Sequence, residues 1–454
     1  MVVDLLLKDG TIVTPTRSFK GTIAVKDGKI VAVGENDFGF EAKEVVSLAG
    51  KHIFPGVIDP HVHISWPNWD WEEDCVCTTK TAAAGGVTTI MHYLNMPMDL
   101  HEELAVYKEK FERNAYVDCG FHEGLFKQSQ IDEVKDMAEN QGICSFKFYL
   151  PYKGDEAVPP LVGIDDGIIY SGFKEIAKLK APARALIHAE NIEIFWKIKE
   201  QMIASGEDKT AYWTYTRPNC VEVESIRKVV SFARGTGCPL YLVHLTTKEA
   251  KDEILRARAE GIDIIGETCP QYLVLNVDNT DRVQNKVNPP IRHKEDNEAM
   301  WEAIREGVIS TIGTDHAPVA LKDKNGFWEG IVGFSGLQTI IPVLCNGVNE
   351  GRIPIEKVAE ITSYNVAKTF GMYPQKGAIE VGCDADFAIV DMNLQKEFHI
   401  AETPSIADYS PFEGMSFKGW PVQTYLRGKL IFDNGEVIGE KGAGRYIPRY
   451  AQSK

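Results

Sequence analysis

Residues 239–261 read PLYLVHLTTKEAKDEILRARAEG. The first part is a short apolar run rich in strand formers. The rest is an amphipathic helical pattern, with Thr247 placed to cap it and Gly261 to stop it. This is one strand followed by one helix. Seven further runs share the style of the first part: FPGVID (54–59), GVTTIMHYL (86–94), YVDCGFHEGL (116–125), ICSFKFYL (143–150), ARALIHAE (183–190), IDIIGETC (262–269) and ISTIGTDHA (309–317). Helical patterns fall between most of them, as in VEVESIRKVVSFARG (221–235). Alternating strand and helix predicts a parallel sheet. Eight such units in about 320 residues predict a (β/α)8 barrel over residues 54–373. An open doubly wound sheet fits less well, because no glycine-rich fingerprint follows an early strand.

Both ends of the chain read differently. Residues 1–53 alternate apolar and polar positions between turns, and residues 374–454 repeat the style. Asp9-Gly10, Asp27-Gly28 and Asn434-Gly435 are hairpin signals. The two ends are expected to pair into one small β-sandwich domain, since termini often lie close together. The fold class is therefore α/β, a barrel with a β-domain built from both termini.

The 454 residues are 44% hydrophobic, enough for a large core, and the formal charge of −16 argues against a general nucleic-acid binder. No apolar run is long enough to span a membrane. The N-terminus lacks the basic and apolar regions of a secretion signal. Nine scattered cysteines then read as reduced thiols, and the expected compartment is the cytoplasm.

The polar residues of the eight runs carry the chemistry. The first runs into DPHVHI, giving His61 and His63. The fourth holds Lys147, the fifth ends at His188, the sixth at His244 and the eighth at Asp315. All lie at or near the C-terminal ends of strands, where a barrel places its active site. An H-x-H on extended backbone puts both imidazoles on one face. Imidazoles with a carboxylate suit zinc, and also manganese, iron or cobalt. The chain has 11 histidines. His52, His92, His101, His122, His293 and His399 read as surface or satisfied core residues, and His316 as no more than a support.

Lys147 is the anomaly. An ammonium at the centre of an apolar strand is costly, and would be repelled by two dications. A neutral lysine amine can instead react with carbon dioxide. The resulting carbamate is anionic and has two oxygens with which to bridge two metals, whose charge stabilises it.

The strings GVIDPHVHI, SFKFYLPY, LIHAEN, LVHLTT, NPPIR and GTDHAP, with GCDADFAIVD and PFEGMSFKGWPV in the tail, resemble the cyclic amidohydrolases of the dihydropyrimidinase, hydantoinase and allantoinase group. The resemblance spans nearly the whole chain. It implies that His61, His63 and Asp315 hold one divalent metal, His188 and His244 the other, and carbamylated Lys147 both. It implies attack by a metal-bridging hydroxide on a cyclic amide, giving an N-carbamoyl amino acid. Asp315 then shuttles the proton and Tyr152 steadies the oxyanion. Asn288 is implied as a contact to the ring amide, and Ser65 and Trp66 as further substrate contacts. Trp66, Trp69 and Trp71 are candidates to line a pocket for a ring substituent. Ser65 stands where dihydroorotases usually carry arginine, which disfavours that activity. HISWP and GFSGLQ look more like allantoinases, so allantoin is the alternative substrate. The complete ligand set disfavours a non-catalytic scaffold relative. A homo-oligomer, tetramer or dimer, is implied, with the tail from about Tyr425 reaching a neighbour.

Overall fold

The computed structural model describes residues 2–36, 38–157, 159–209, 212–281 and 283–454. Eight parallel strands, neighbours in space in chain order, form the central sheet. They are Val57–Val62, Val87–Leu94, Asp118–Gly124, Ser145–Tyr149, Arg184–His188, Leu240–Leu242, Ile264–Thr268 and Ile309–Ile312. Seven fall within the runs read from the sequence, and the first overlaps FPGVID and continues to Val62. A parallel bridge between Val62 and His316 joins the last strand's exit to the first strand. His63 N donates to His316 O (2.8 Å) and His316 N to His61 O (3.3 Å), so the sheet closes into a barrel.

Period two explains the anomalous fourth strand. Phe146 and Phe148 turn outward, where Phe148 meets Phe173 of a surrounding helix at 5.5 Å. Ser145, Lys147 and Tyr149 turn into the lumen, where Ser145 Oγ meets His122 Nδ1 at 2.6 Å. The helix predicted from residue 247 spans Lys248–Ala259 and stops before Gly261, whose φ is +81°. Thr247 occupies the cap position but does not cap. Its hydroxyl donates to buried Glu222 (2.7 Å), whose carboxylate also accepts the Thr247 and Thr246 backbone N–H groups.

Both termini build one nine-stranded sheet. It forks at strand Val2–Val13, which pairs parallel with Glu41–Ser47 along one stretch and with His52–Pro55 along the next. Leu5, Leu7, Ile23, Ile53, Phe387 and Ile389 form its core. Asp27-Gly28 and Asn434-Gly435 are hairpin turns, as read. Asp9-Gly10 is not. It sits inside one strand as a bulge, with the register shifting between Leu7 and Gly10. A further hairpin turns at Arg427-Gly428, both at positive φ. Gly56 hands the chain from this sheet to the barrel. A Cβ there would meet Thr88 Oγ1 at 2.2 Å, which excludes any larger residue.

The C-terminal segment expected to reach a neighbour docks on the chain's own barrel. Ile447 N donates to Cys119 O (2.7 Å), Arg449 N to Gly142 O (2.8 Å) and Ala451 N to Ala138 O (2.9 Å). The buried Arg449 guanidinium donates to Ser145 Oγ and Phe121 O, tying the tail to the third and fourth strands. Among the described residues no helix is long and apolar enough to cross a membrane.

Candidate active site

The strand ends converge on a cleft of about 470 Å³ lined by His61, His63, Lys147, His188, His244 and Asp315, with Tyr152, Asn288 and Trp66 on its walls. Its floor begins at the first strand. Buried Asp59 accepts hydrogen bonds from His61 N (3.0 Å) and Thr314 N (3.0 Å), tying the first strand's end to the segment carrying Asp315. His61 Nδ1 donates to Glu267 Oε1 at 2.7 Å. That fixes the tautomer and leaves Nε2 aimed at Asp315 Oδ1, 3.2 Å away. His63 Nε2 lies 3.3 Å from the same oxygen. Three donors thus crowd one point, their ligand atoms all within 4.8 Å of one another.

On the other side the His188 and His244 rings meet with centroids 4.3 Å apart. His188 Nε2 is held by Glu190 Oε2 at 2.7 Å, and Glu190 in turn faces Arg217 at 3.4 Å. His244 Nδ1 is buried without a hydrogen-bond partner. His244 and Asp315 both sit in the left-handed region, at φ 40° and 54°. Side chains held in such backbone states at a cluster of donors mark stored strain at a functional site.

Lys147 is fully buried, and its Nζ has no hydrogen-bond partner. Its neighbours are the faces of Tyr93 (4.8 Å) and Tyr149 (4.9 Å). Burial pushes its pKa down to about 7. Burial and the Lys147 charge hold His61 well below the usual imidazole range; burial does the same to His244 and lowers His188 against the pull of Glu190. Neutral imidazoles are the form that binds metal. Unpartnered nitrogens on Lys147 and His244, neutral imidazoles and a shared carboxylate oxygen fit a pair of divalent ions.

The substrate walls are mixed. Tyr152 and Asn288 share one wall of the cleft, and Asn288 Oδ1 accepts from Trp213 Nε1 at 2.9 Å. Trp66 borders the cleft and donates its Nε1–H to Val332 O (2.9 Å). Ser65 lies outside it. Its hydroxyl donates to Trp69 O (2.7 Å) and its N–H to Asp74 (2.6 Å), so it shapes the turn at φ 69°. Trp69 donates to Pro318 O, and Trp71 packs on Tyr107 at 5.3 Å. His316 supports the barrel closure, accepting from Gly336 N at Nδ1 (3.2 Å) and facing Thr78 from Nε2 (3.2 Å). Glu267, Glu190 and Asp59 were not singled out from the sequence. An acid near the end of the apolar strand Ile264–Thr268 was the available signal for Glu267.

A family model described as "Amidohydrolase family" matches residues 223–431, and one described as "Dihydro-orotase-like" matches residues 50–250. The chain is 32% identical to a D-hydantoinase of Geobacillus stearothermophilus, over 98% of this chain and 96% of that one. It is 34% identical to an allantoinase of Desulfitobacterium hafniense (strain Y51), over 96% and 97%. The solved L-hydantoinase (dihydropyrimidinase) of Arthrobacter aurescens superposes with a TM-score of 0.91 at 30% identity, covering 98% of this chain and all of that one. With a closed barrel, converging strand-end histidines and full-length likeness to these proteins, the chain belongs to the amidohydrolase family, among the hydantoinases, dihydropyrimidinases and allantoinases.

Proposed function

We propose that the protein hydrolyses a cyclic amide, a hydantoin or dihydropyrimidine ring, to an N-carbamoyl amino acid. The observation that carries this reading is the buried, unpartnered Lys147 amine facing four imidazoles and Asp315 in one cleft. His61, His63 and Asp315 would hold one divalent metal, zinc in the first instance, and His188 and His244 a second. The Lys147 amine adds to carbon dioxide, forming an N–C bond and releasing a proton, and the carbamate would serve both metals. When bound, such a pair supplies a water acidic enough to react at neutral pH and polarises the substrate carbonyl.

The chain's own residues do the rest. Asp315 accepts a proton at its carboxylate and returns it to the leaving ring nitrogen. Burial keeps the Tyr152 phenol protonated, above its ordinary pKa, so its O–H can donate to the developing oxyanion. Asn288 lines the same wall, its Oδ1 held by Trp213. Trp66, Leu161, Val287 and Val332 form an apolar side of the cleft. An adjoining chamber of about 1090 Å³ shares Trp66, Asn95 and Leu161 with it and adds Trp69 and Tyr107. That apolar side favours a ring bearing an aryl or alkyl substituent over allantoin, whose substituent is a polar urea. Free thiols on all nine cysteines support a cytoplasmic setting, and we expect a homo-oligomer.

Two experiments test the reading. Relative rates on 5-aryl hydantoin, dihydrouracil and allantoin should rank the first highest; fast allantoin turnover alone would reject the ring assignment. Lys147→Ala should lose bound metal and activity together, from about two ions per chain. Full activity in that variant would remove the bridging role.

A further inference from the structure

Two more lysines are buried near the cleft, and neither is in an ion pair among the described residues. Lys324 is 0% exposed and Lys286 is 1% exposed. Lys324 ends the short turn Leu321–Lys324 in the loop after the eighth strand. Its Nζ donates to Gly333 O (2.6 Å), Lys286 O (3.2 Å) and Ile331 O (3.3 Å), one carbonyl for each ammonium hydrogen. Lys286 lies in the loop after the seventh strand and reaches the other way. Its Nζ donates to Phe327 O (2.8 Å) and Trp328 O (3.2 Å), and it stands 4.3 Å over the Trp213 ring. Gly333 N closes the join by donating to Lys286 O at 3.1 Å. Each lysine therefore fastens the loop that carries the other.

Both ends of this exchange are walls of the cleft. Val287 and Asn288 follow Lys286 directly, and Val332 and Gly333 face them from the other loop. The Trp213 ring under Lys286 holds Asn288 Oδ1, and Val332 O holds Trp66. A buried ammonium without a counter-ion is expensive, and a methionine of similar length would avoid the cost. Burial pushes both amines down to about 7, with Arg217 adding repulsion at Lys286. An apolar side chain at the position of Lys324, however, would take the ammonium donor from the buried Gly333 carbonyl and the half-buried Ile331 carbonyl, and would leave Lys286 O with Gly333 N alone.

We propose that Lys324 and Lys286 are positioning residues for the substrate: they clamp the loop after the eighth strand onto the loop after the seventh and so set the gap between Asn288 and Gly333. This rests on the ring-opening reading, through the roles given to Asn288, Tyr152 and Trp66. Neither lysine touches the reacting atoms.

The test uses the metal-loaded enzyme with Lys324→Met and the best cyclic amide from the substrate panel. KM should rise about tenfold or more while kcat stays within about threefold, because binding geometry is lost and the chemistry is not. Metal content should be unchanged. Deuterium exchange should quicken at Gly330, Ile331 and Gly333, and not in the barrel strands. For Lys324→Ala, millimolar ethylammonium should restore KM, while tetramethylammonium, which has no N–H, should not. Wild-type KM and wild-type exchange in Lys324→Met would overturn the clamp. So would parallel loss of KM, kcat and metal, which marks general unfolding, or equal rescue by both cations. If the wild-type enzyme opens none of the rings, the ring-opening reading fails, and exchange still decides whether the loops are clamped.

Discussion

At the scale of single residues, the site is a case of acids orienting bases. Glu267 is fully buried at the end of the seventh strand, and its carboxylate gathers His61 Nδ1 (2.7 Å), His244 N (3.0 Å) and Tyr241 OH (2.7 Å). It therefore aims one imidazole and pins the backbone of another, on opposite sides of the cleft. Groups of this kind fix ring orientation and raise ligand basicity. Glu267→Gln keeps the shape and loses the charge. Metal affinity in that variant should fall by about 10–100-fold, as measured by competition with a chelator. Unchanged affinity would show that His61 needs no charged support. Lys147 was legible in the sequence because a lone charge in an apolar strand demands a reason. Glu267 meets the same criterion, but its partner His61 lies 206 positions away, and no local pattern links them.

Strands and helices obey simpler rules, and their exceptions are informative. The third barrel strand, Asp118–Gly124, turns His122 into the lumen and Glu123 out toward the helix layer. Both Glu123 oxygens are buried without a hydrogen-bond partner. Glu103, on the helix Leu100–Asn114, is buried as well, with one oxygen accepting from Met96 N at 2.9 Å. Burial pushes the Glu103 carboxyl up to about 8, and burial and Glu103 push Glu123 well above the carboxylate range. In the unfolded chain both ionise near about 4.3. Raised folded values mean that stability is lost as pH climbs from there toward 8, since the unfolded chain gives up its protons first. Glu123→Gln should therefore raise the melting temperature more at about pH 8 than at about pH 5. Equal shifts at both would show that the acid is not held neutral by the fold. Element identity was readable from the run pattern because alternation and amphipathicity are local. Asp9-Gly10 misleads for the converse reason: the dipeptide specifies positive φ, and only the partner strand decides between a turn and a bulge.

Across the whole molecule, the β-domain and the barrel are joined by a buried charge knot at the end opposite the cleft. Lys376 Nζ contacts Asp386 (2.6 Å), Asp118 (2.7 Å) and Asp384 (3.2 Å), and Arg427 also grips Asp118. The three aspartates have metal-like spacing, but the ammonium occupies their centre. Burial alone would lower the Lys376 pKa; Asp386, Asp118 and Asp384 outweigh it and hold it above the ordinary range. This contribution is complete below the unfolded lysine value and fades only as pH rises through the folded one. Lys376→Met leaves the carboxylates facing one another and should cost about 3–5 kcal/mol in denaturant unfolding. Residual native enzyme should keep its metal, since the knot lies at the start of the third strand.

The sequence alone determined the eight strand–helix units, the β-rich ends and the strand-end placing of the four histidines, Lys147 and Asp315. Each depends on periodicity and on the cost of a polar group in an apolar run, and both are properties of neighbouring residues. Tertiary structure alone decided which carboxylate orients which imidazole, that the tail lies on its own barrel, and that two lysines lock the mouth loops. Those contacts join residues far apart in the chain, and barrel closure brings them into reach.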